Sequence, residues 1–391
     1  MNNTPTRIGF VTTYPPMPCA IGIYSQKLMR AAVKSHNELR FEVITENVTE
    51  SIHETSISSH PTYCRNSNYH DAILHAAQEK KVQILHFQYA PDLLGRDERL
   101  PNLLKSLRKA GIRSVVTFHT VYADGLWARI LPGMAPAEFH RAVSRETDRI
   151  VVHHRHGMAD LLISQGVDYK KIAVIPHGTD LLPELDMNES RRLLGLPEEI
   201  FLFTFFGFIH IQKNVHTAVN AFIHVSRELP QASLLVAGKA WGDRPYNFAY
   251  IRLLKARKFL SGLGERIVFM DHYIPTNQVP NIFAASDVLL LPHWQKYGSA
   301  SGVFHQAIGA KKPILVAKGP KFEDGLKRLQ SLPALTPDAL RASQWKDGMR
   351  ALYHDEALRN QARNILSDYA QETAWPCVAE STYALYKELL P

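Results

Sequence analysis

Two doubly wound, parallel α/β domains are what this sequence predicts, and three observations predict them. Short apolar runs of strand length alternate with segments of helical spacing along most of the 391 residues. The alternation starts afresh near residue 200, after a polar linker at 183–188. A chain of this length is expected to hold two domains or one large one.

In the first half the expected strands are 7–13, 41–45, 82–89, 114–120, 149–153 and 172–176. The first runs into a loop at 14–24 that Pro15, Pro16 and Pro18 stiffen. A helix is expected from about Ser25, with Leu28, Met29 and Ala32 on one face and Lys27, Arg30 and Lys34 on the other. Helical spacing returns at 69–79 and 100–110, the latter carrying Lys105, Arg108 and Lys109. The stretch 46–68 is polar and shows no clear period.

In the second half the expected strands are 201–206, 232–237, 267–270, 288–291 and 314–317. Pro292 stops the run Val288-Leu-Leu-Leu291, and Gly298-Ser-Ala-Ser-Gly302 is a small-residue turn. Val303, Phe304, Ala307, Ile308 and Ala310 then recur at helical spacing. The last segment, with Val378, Tyr383, Leu385, Tyr386 and Leu389, reads as an amphipathic helix used for core packing. The expected division is 1–180, 181–370 and a C-terminal helix at 371–391 that packs back toward the first domain, with a cleft between two Rossmann-like halves.

Composition narrows the function. With 45% apolar and 21% charged residues this is an ordinary soluble globular composition. No apolar run is long enough for a membrane span, and the first residues lack a secretory pattern. Cys19, Cys64 and Cys377 stand far apart, which is neither a disulfide framework nor a paired-cysteine metal site, so a cytoplasmic home is expected. The cluster His153-His-Arg-His156 lacks partner ligands at finger-like spacing, and no metal is assigned to it. A net charge of +8 suits nucleotides, acidic glycans or an anionic membrane face. Nucleic acid is excluded as a partner, since no basic and aromatic interleaving accompanies the charge.

Binding groups of doubly wound sheets gather at the carboxyl ends of strands. His119 and the 14–24 loop lie there, as does the 298–302 turn. Backbone N–H groups at a helix start, with about half a positive charge from the helix dipole, make a phosphate seat.

The order of motifs resembles the family 4 retaining glycosyltransferases of the GT-B fold, the group 1 glycosyltransferases. Tyr14-Pro-Pro-Met-Pro-Cys-Ala-Ile-Gly22 is similar to the family's N-terminal loop, and Val115-Val-Thr-Phe-His-Thr120 to its fourth strand and histidine. Ile175-Pro-His-Gly-Thr-Asp180 resembles its hinge, and Gly207-Phe-Ile-His-Ile-Gln-Lys213 its phosphate-binding element. The segment 269–292 and Gln306-Ala-Ile-Gly-Ala-Lys-Lys-Pro313 follow in the family's order.

The resemblance implies a metal-independent, retaining transfer of a hexose from a GDP- or UDP-sugar to a glycan or lipid-linked acceptor, with mannose or glucose the family-level expectation. The nucleotide sugar is a co-substrate, and no cofactor is implied. Contact with the inner membrane face is expected from the basic N-terminal helices. The implied catalytic groups are His119 at the sugar and Lys213 and His210 at the diphosphate. Binding through backbone or small side chains is expected at Gly22, Ala20, Gly207, Gly238, Ser299, Ser301, Gly302 and Val303. Tyr273 and Ile274 are expected at the base and Gln306 at the ribose. The family's two glutamates, eight residues apart, fall at Gly298 and Gln306, and its arginine at His210. These departures sustain an alternative, a catalytically impaired binding protein on the same fold.

Overall fold

The computed structural model describes residues 5–47, 51–125, 133–242, 244–295 and 297–390. The chain forms two compact units, and each has its own sheet.

The first unit comprises Met1–Gly178, Tyr297–Ala300 and Thr373–Pro391. Its strands are β1 (Thr6–Val11), β2 (Leu39–Glu46), β3 (His53–Glu54), β4 (Ile57–Tyr63), β5 (Ile84–Tyr89), β6 (Arg113–Phe118), β7 (Thr120–Val121), β8 (Arg149–Val152) and β9 (Ile172–Val174). Eight of them make one sheet in the order β3-β4-β2-β1-β5-β6-β8-β9, parallel except for β3. The central strands are buried on both faces, which is why they read as continuous apolar runs.

Two expectations are corrected here. The polar stretch 46–68 holds the short edge strand β3 and its neighbour β4. β4 reads Ile-Ser-Ser-His-Pro-Thr-Tyr, and only Ile57, Ser59 and Tyr63 are buried; β3 pairs with it only at Ile57 and Ser58, so its polarity is that of a strand half covered near the edge. The first helix starts at Ala20 rather than near Ser25, and spans Ala20–Ser35. Ser25 lies inside it, bonded through Oγ to Thr12 Oγ1 at 2.9 Å, which ties the helix to the exit of β1.

The C-terminal helix Trp375–Lys387 belongs to this first unit and packs along Ala20–Ser35. Trp375, Val378, Ala379, Leu385 and Tyr386 join a core cluster with Ile8, Phe10, Tyr24 and Met29. The Trp375 and Tyr24 rings meet edge-on at 5.3 Å, and Tyr386 Oη lies 2.6 Å from His86 Nδ1.

The second unit comprises Thr179–Lys296 and Ser301–Glu372. β10 (Phe201–Phe206), β11 (Ala232–Ala237), β12 (Ile267–Met270), β13 (Val288–Leu291) and β15 (Ile314–Val316) form a parallel sheet in the order β12-β11-β10-β13-β15. β14 (Gly298–Ser299) does not join it; this strand pairs antiparallel with β7 in the first unit. A continuous apolar core with Trp345 fully buried fills the second unit. Among the described residues, no helix is long and apolar enough to cross a membrane.

Candidate functional site

The functional candidates fall at the carboxyl ends of strands in both units.

In the first unit, His119 follows β6 directly. Its Nε2 lies 2.8 Å from Gln88 Oε1 and its Nδ1 lies 3.2 Å from His153 Nε2. His153 is fully buried, and its Nδ1 donates to the Ile175 carbonyl at 3.0 Å. Tyr24 sets its ring edge-on against His119, His153 and His177, with centroids 4.9, 5.4 and 5.1 Å apart. Burial holds His119 down to about 3, with smaller effects from His177 and His86, and pushes His153 well below the usual imidazole range. Both rings are therefore neutral near pH 7.

Ala20 and Gly22 were expected in an open loop. They sit instead in the first turn of the helix Ala20–Ser35. A Cβ on Gly22 would come within 2.8 Å of the Thr13 carbonyl oxygen, so this glycine permits the close approach of helix and strand exit. Gly298 is more tightly placed still: a Cβ there would stand 2.0 Å from the Gly157 carbonyl oxygen. The position where the resemblance implies a glutamate thus admits no side chain with this backbone. Ser299, expected in one phosphate seat with Ser301 to Val303, is paired with Thr120 as part of the first unit.

In the second unit, Gly207 closes β10 and Gly238 closes β11. Both have positive φ, 122° and 140°. A Cβ on Gly238 would lie 2.1 Å from the Gly207 carbonyl oxygen, and one on Gly207 would lie 3.4 Å from Val303 Cγ2. The two glycines therefore bring the strand ends and the start of the helix Gly302–Gly309 together. Ser301 caps that helix, its Oγ accepting from the Phe304 N–H at 3.3 Å. No acidic residue stands in the first turn, and Gly302, Val303 and Gln306 stay accessible. The turn presents unpaired N–H groups, which suits an anion.

His210 and Lys213 lie in the loop after β10, and the His210 ring packs 5.4 Å from Trp241. Two further groups join them that sequence reasoning missed. His293 stands two residues past the end of β13, and Lys321 lies in the short turn Pro320–Phe322 after β15. The four interact electrostatically. Burial, then Lys213 and Lys321, hold His210 down to about 3. Burial, then Lys321, keeps the Lys213 ammonium well below the usual lysine range. Burial holds Lys321 down to about 8. Burial, then the two lysines and His210, pushes His293 far down. The rule that ligands gather at carboxyl ends of strands was the available signal for both missed residues.

Tyr273 is partly exposed with Lys239 Nζ 5.9 Å from its ring centroid, whereas Ile274 is buried in the core, so only its backbone can face a ligand. Of the predicted residues, the second unit thus brings Gly207, Gly238 and Val303 together and, separately in the β10 loop, His210 and Lys213.

The family model described as Glycosyltransferase Family 4 matches residues 32–181, and the one described as Glycosyl transferases group 1 matches 201–355. A D-inositol 3-phosphate glycosyltransferase of Xylanimonas cellulosilytica is 27% identical over 285 residues, 66% of each chain. A UDP-Gal:alpha-D-GlcNAc-diphosphoundecaprenol alpha-1,3-galactosyltransferase of Escherichia coli is 31% identical over 154 residues, 37% of each chain. The matched stretches are thus less than two thirds of these relatives' lengths. Among solved structures, sucrose-phosphate synthase of Thermosynechococcus elongatus superposes with a TM-score of 0.76 at 16% identity, covering 98% of this chain and 99% of that one. HepE of Anabaena, in complex with UDP, superposes with a TM-score of 0.74 at 13% identity, covering 98% and 100%. With one family model on each half and the GT-B fold throughout, the chain belongs to the family 4, or group 1, GT-B glycosyltransferases.

Proposed function

We propose that the protein transfers a hexose from a nucleoside-diphosphate sugar to a hydroxyl of a glycan or lipid-linked acceptor, with retention at the anomeric carbon. The observation that carries the reading is the loop after β10, where Gly207 approaches Val303 at the start of the capped helix Gly302–Gly309 and His210 and Lys213 follow a few residues on. A departing diphosphate needs cationic and N–H donors fixed in place before the bond breaks. The HepE complexes with UDP and with UDP-glucose favour a uridine donor, with a GDP-sugar as the second arm of the test.

Gly298 and Gln306 supply no carboxylate at the two positions where the resemblance implies glutamates. This favours a front-face course. The bond from the anomeric carbon to the diphosphate oxygen breaks, the acceptor oxygen bonds the same face, and its proton passes to the departing phosphate. Lys213 and the helix N–H groups are assigned the diphosphate charge, so the reaction is expected to proceed in EDTA. His119 is assigned to the sugar, for which it must give up its bond to Gln88 or to His153, Gln306 to the ribose and Tyr273 to the base.

The test is incubation with UDP-glucose, UDP-galactose and GDP-mannose, following nucleotide release and the anomeric proton of the product by NMR. Release of UDP or GDP with an α-configured product supports the reading. A glycosyl-enzyme adduct trapped in the mass spectrum overturns the front-face course. The blocked Gly298 position also favours a second reading, a binding protein without turnover. Tight nucleotide binding with no sugar release would establish it.

A further inference from the structure

His293 is 1% exposed, and neither ring nitrogen has a hydrogen-bond partner among the described residues. Buried polar nitrogens are nearly always paired, so a buried imidazole with two unpaired nitrogens marks a missing ligand or an unexplained cost. Its surroundings point to the first. The sheet order places β10, β13 and β15 side by side, and Lys213, His293 and Lys321 each follow one of those strands. The Phe322 ring lies 5.2 Å from the His293 ring, which sets the Lys321 turn against it.

The loops are laced together. Trp294 N–H donates to the Gln212 carbonyl at 3.1 Å, and Trp294 Nε1 donates to the Ile211 carbonyl at 3.2 Å. Gln295 Nε2 donates to Gln212 Oε1 at 3.3 Å. Lys213 and His293 are thus carried on backbone that is already fixed, the condition under which an anion is bound with little loss to ordering. Lys321 beside Lys213, and both lysines beside His210 and His293, disfavour protonation of those groups, a cost that a ligand of two or more negative charges relieves.

We propose that Lys321 and His293 are binding residues for the donor's diphosphate, completing on β13 and β15 the anion site that Lys213 begins on β10. The inference rests on the nucleotide-sugar reading above and adds to it two residues outside the motifs that carry the resemblance.

The experiment is calorimetric titration of the full chain at pH 7 with UDP, GDP and inorganic pyrophosphate, beside the bare nucleosides. Lys321→Met is expected to weaken the diphosphates about tenfold or more and to leave the nucleosides unchanged, while Lys321→Arg retains most of the affinity. His293→Phe, which suits its neighbours Phe205 and Phe322, is expected to melt no lower than wild type and to weaken the diphosphates in the same direction. Each residue is judged on its own variant. Diphosphate affinity unchanged in a variant, with the wild type binding UDP or GDP, overturns that residue's assignment and leaves the nucleotide-sugar reading intact. Lys321-dependent binding of pyrophosphate without nucleotide binding would leave Lys321 an anion-binding residue and overturn both the donor reading and the assignment to the donor's diphosphate. No binding of any of the three by the wild type overturns both.

Discussion

Gly298 is the residue whose neighbours decide most. Any side chain there meets the Gly157 carbonyl oxygen at 2.0 Å and Met158 Cγ at 2.8 Å. Gly298→Ala is expected to destabilise the protein by about 2–4 kcal/mol, as overpacking against backbone does, read as a lower midpoint in urea. Gly298→Glu is expected to destabilise at least as much and to restore no activity. Full activity in a well-folded Gly298→Glu protein would show that the backbone yields.

The buried histidines give a pH dependence with a definite sign. Burial holds His86 and His119 to about 3 and His140 to about 4, below the ordinary value of about 6.5. The unfolded chain then binds more protons, so these groups contribute stability above pH 6.5 that is lost as pH falls toward 4. The melting temperature is expected to drop through that interval, and a flat profile would contradict it. Such environments were not legible in the sequence. His119 could be placed at a strand end, but nothing in the residues told that Gln88 and His153 would occupy both of its nitrogens. Lys321 was hidden for a similar reason: no periodicity marks a lysine in a turn, and only the sheet order sets that turn beside the end of β13 and two strands from β10.

At the scale of elements, the helix Gly302–Gly309 depends on its cap. Ser301 is 3% exposed and its Oγ accepts from Phe304 N–H. Ser301→Ala is expected to cost about 1 kcal/mol of stability. If the first turn also seats a phosphate, UDP affinity falls further than Ser301→Gly, a better cap than alanine, would cause. Thermal melts with and without UDP separate the two effects. Central strands were legible because burial on both faces forces an apolar run, as in Val288–Leu291. β4 was not, since a strand half covered near the sheet edge can keep Ser58, His60 and Thr62. The early start of the first helix was obscured because Ala20, Ile21 and Gly22 follow a proline-rich stretch and Cys19 makes no side-chain cap. The basic face of that helix is also less open than its sequence suggests. Arg30 is bonded to Glu54 at 2.6 Å, from the edge strand β3 that was missed.

For the whole molecule, two units with one sheet each followed from the restart of the pattern, but only part of the chain's path between them did. Residues 297–300 and 373–391 belong to the first unit; a C-terminal helix at 371–391 packing back is the sequence's expectation, whereas nothing in composition or spacing marks 297–300. The C-terminal return is substantial. Trp375 covers Gly178 so closely that a Cβ on that glycine would lie 2.3 Å from the indole. Tyr383 Oη donates to Glu38 at 2.6 Å, and Arg149 bonds Glu388 at 3.2 Å. Trp375→Ala is expected to destabilise by about 3–5 kcal/mol, the range for a large buried aromatic, measured by urea unfolding of the full chain. A fragment of residues 1–178 is expected to lack a cooperative transition, and a peptide of residues 373–391 added to it to recover part of one.

The helix Trp375–Lys387 therefore sets a schedule for synthesis. A ribosome builds the first sheet early, then must complete the whole second unit before the segment that covers Tyr24 and His86 emerges. Until then the nascent first unit holds an apolar face open, and protection of that face during translation becomes a requirement of the chain's own connectivity.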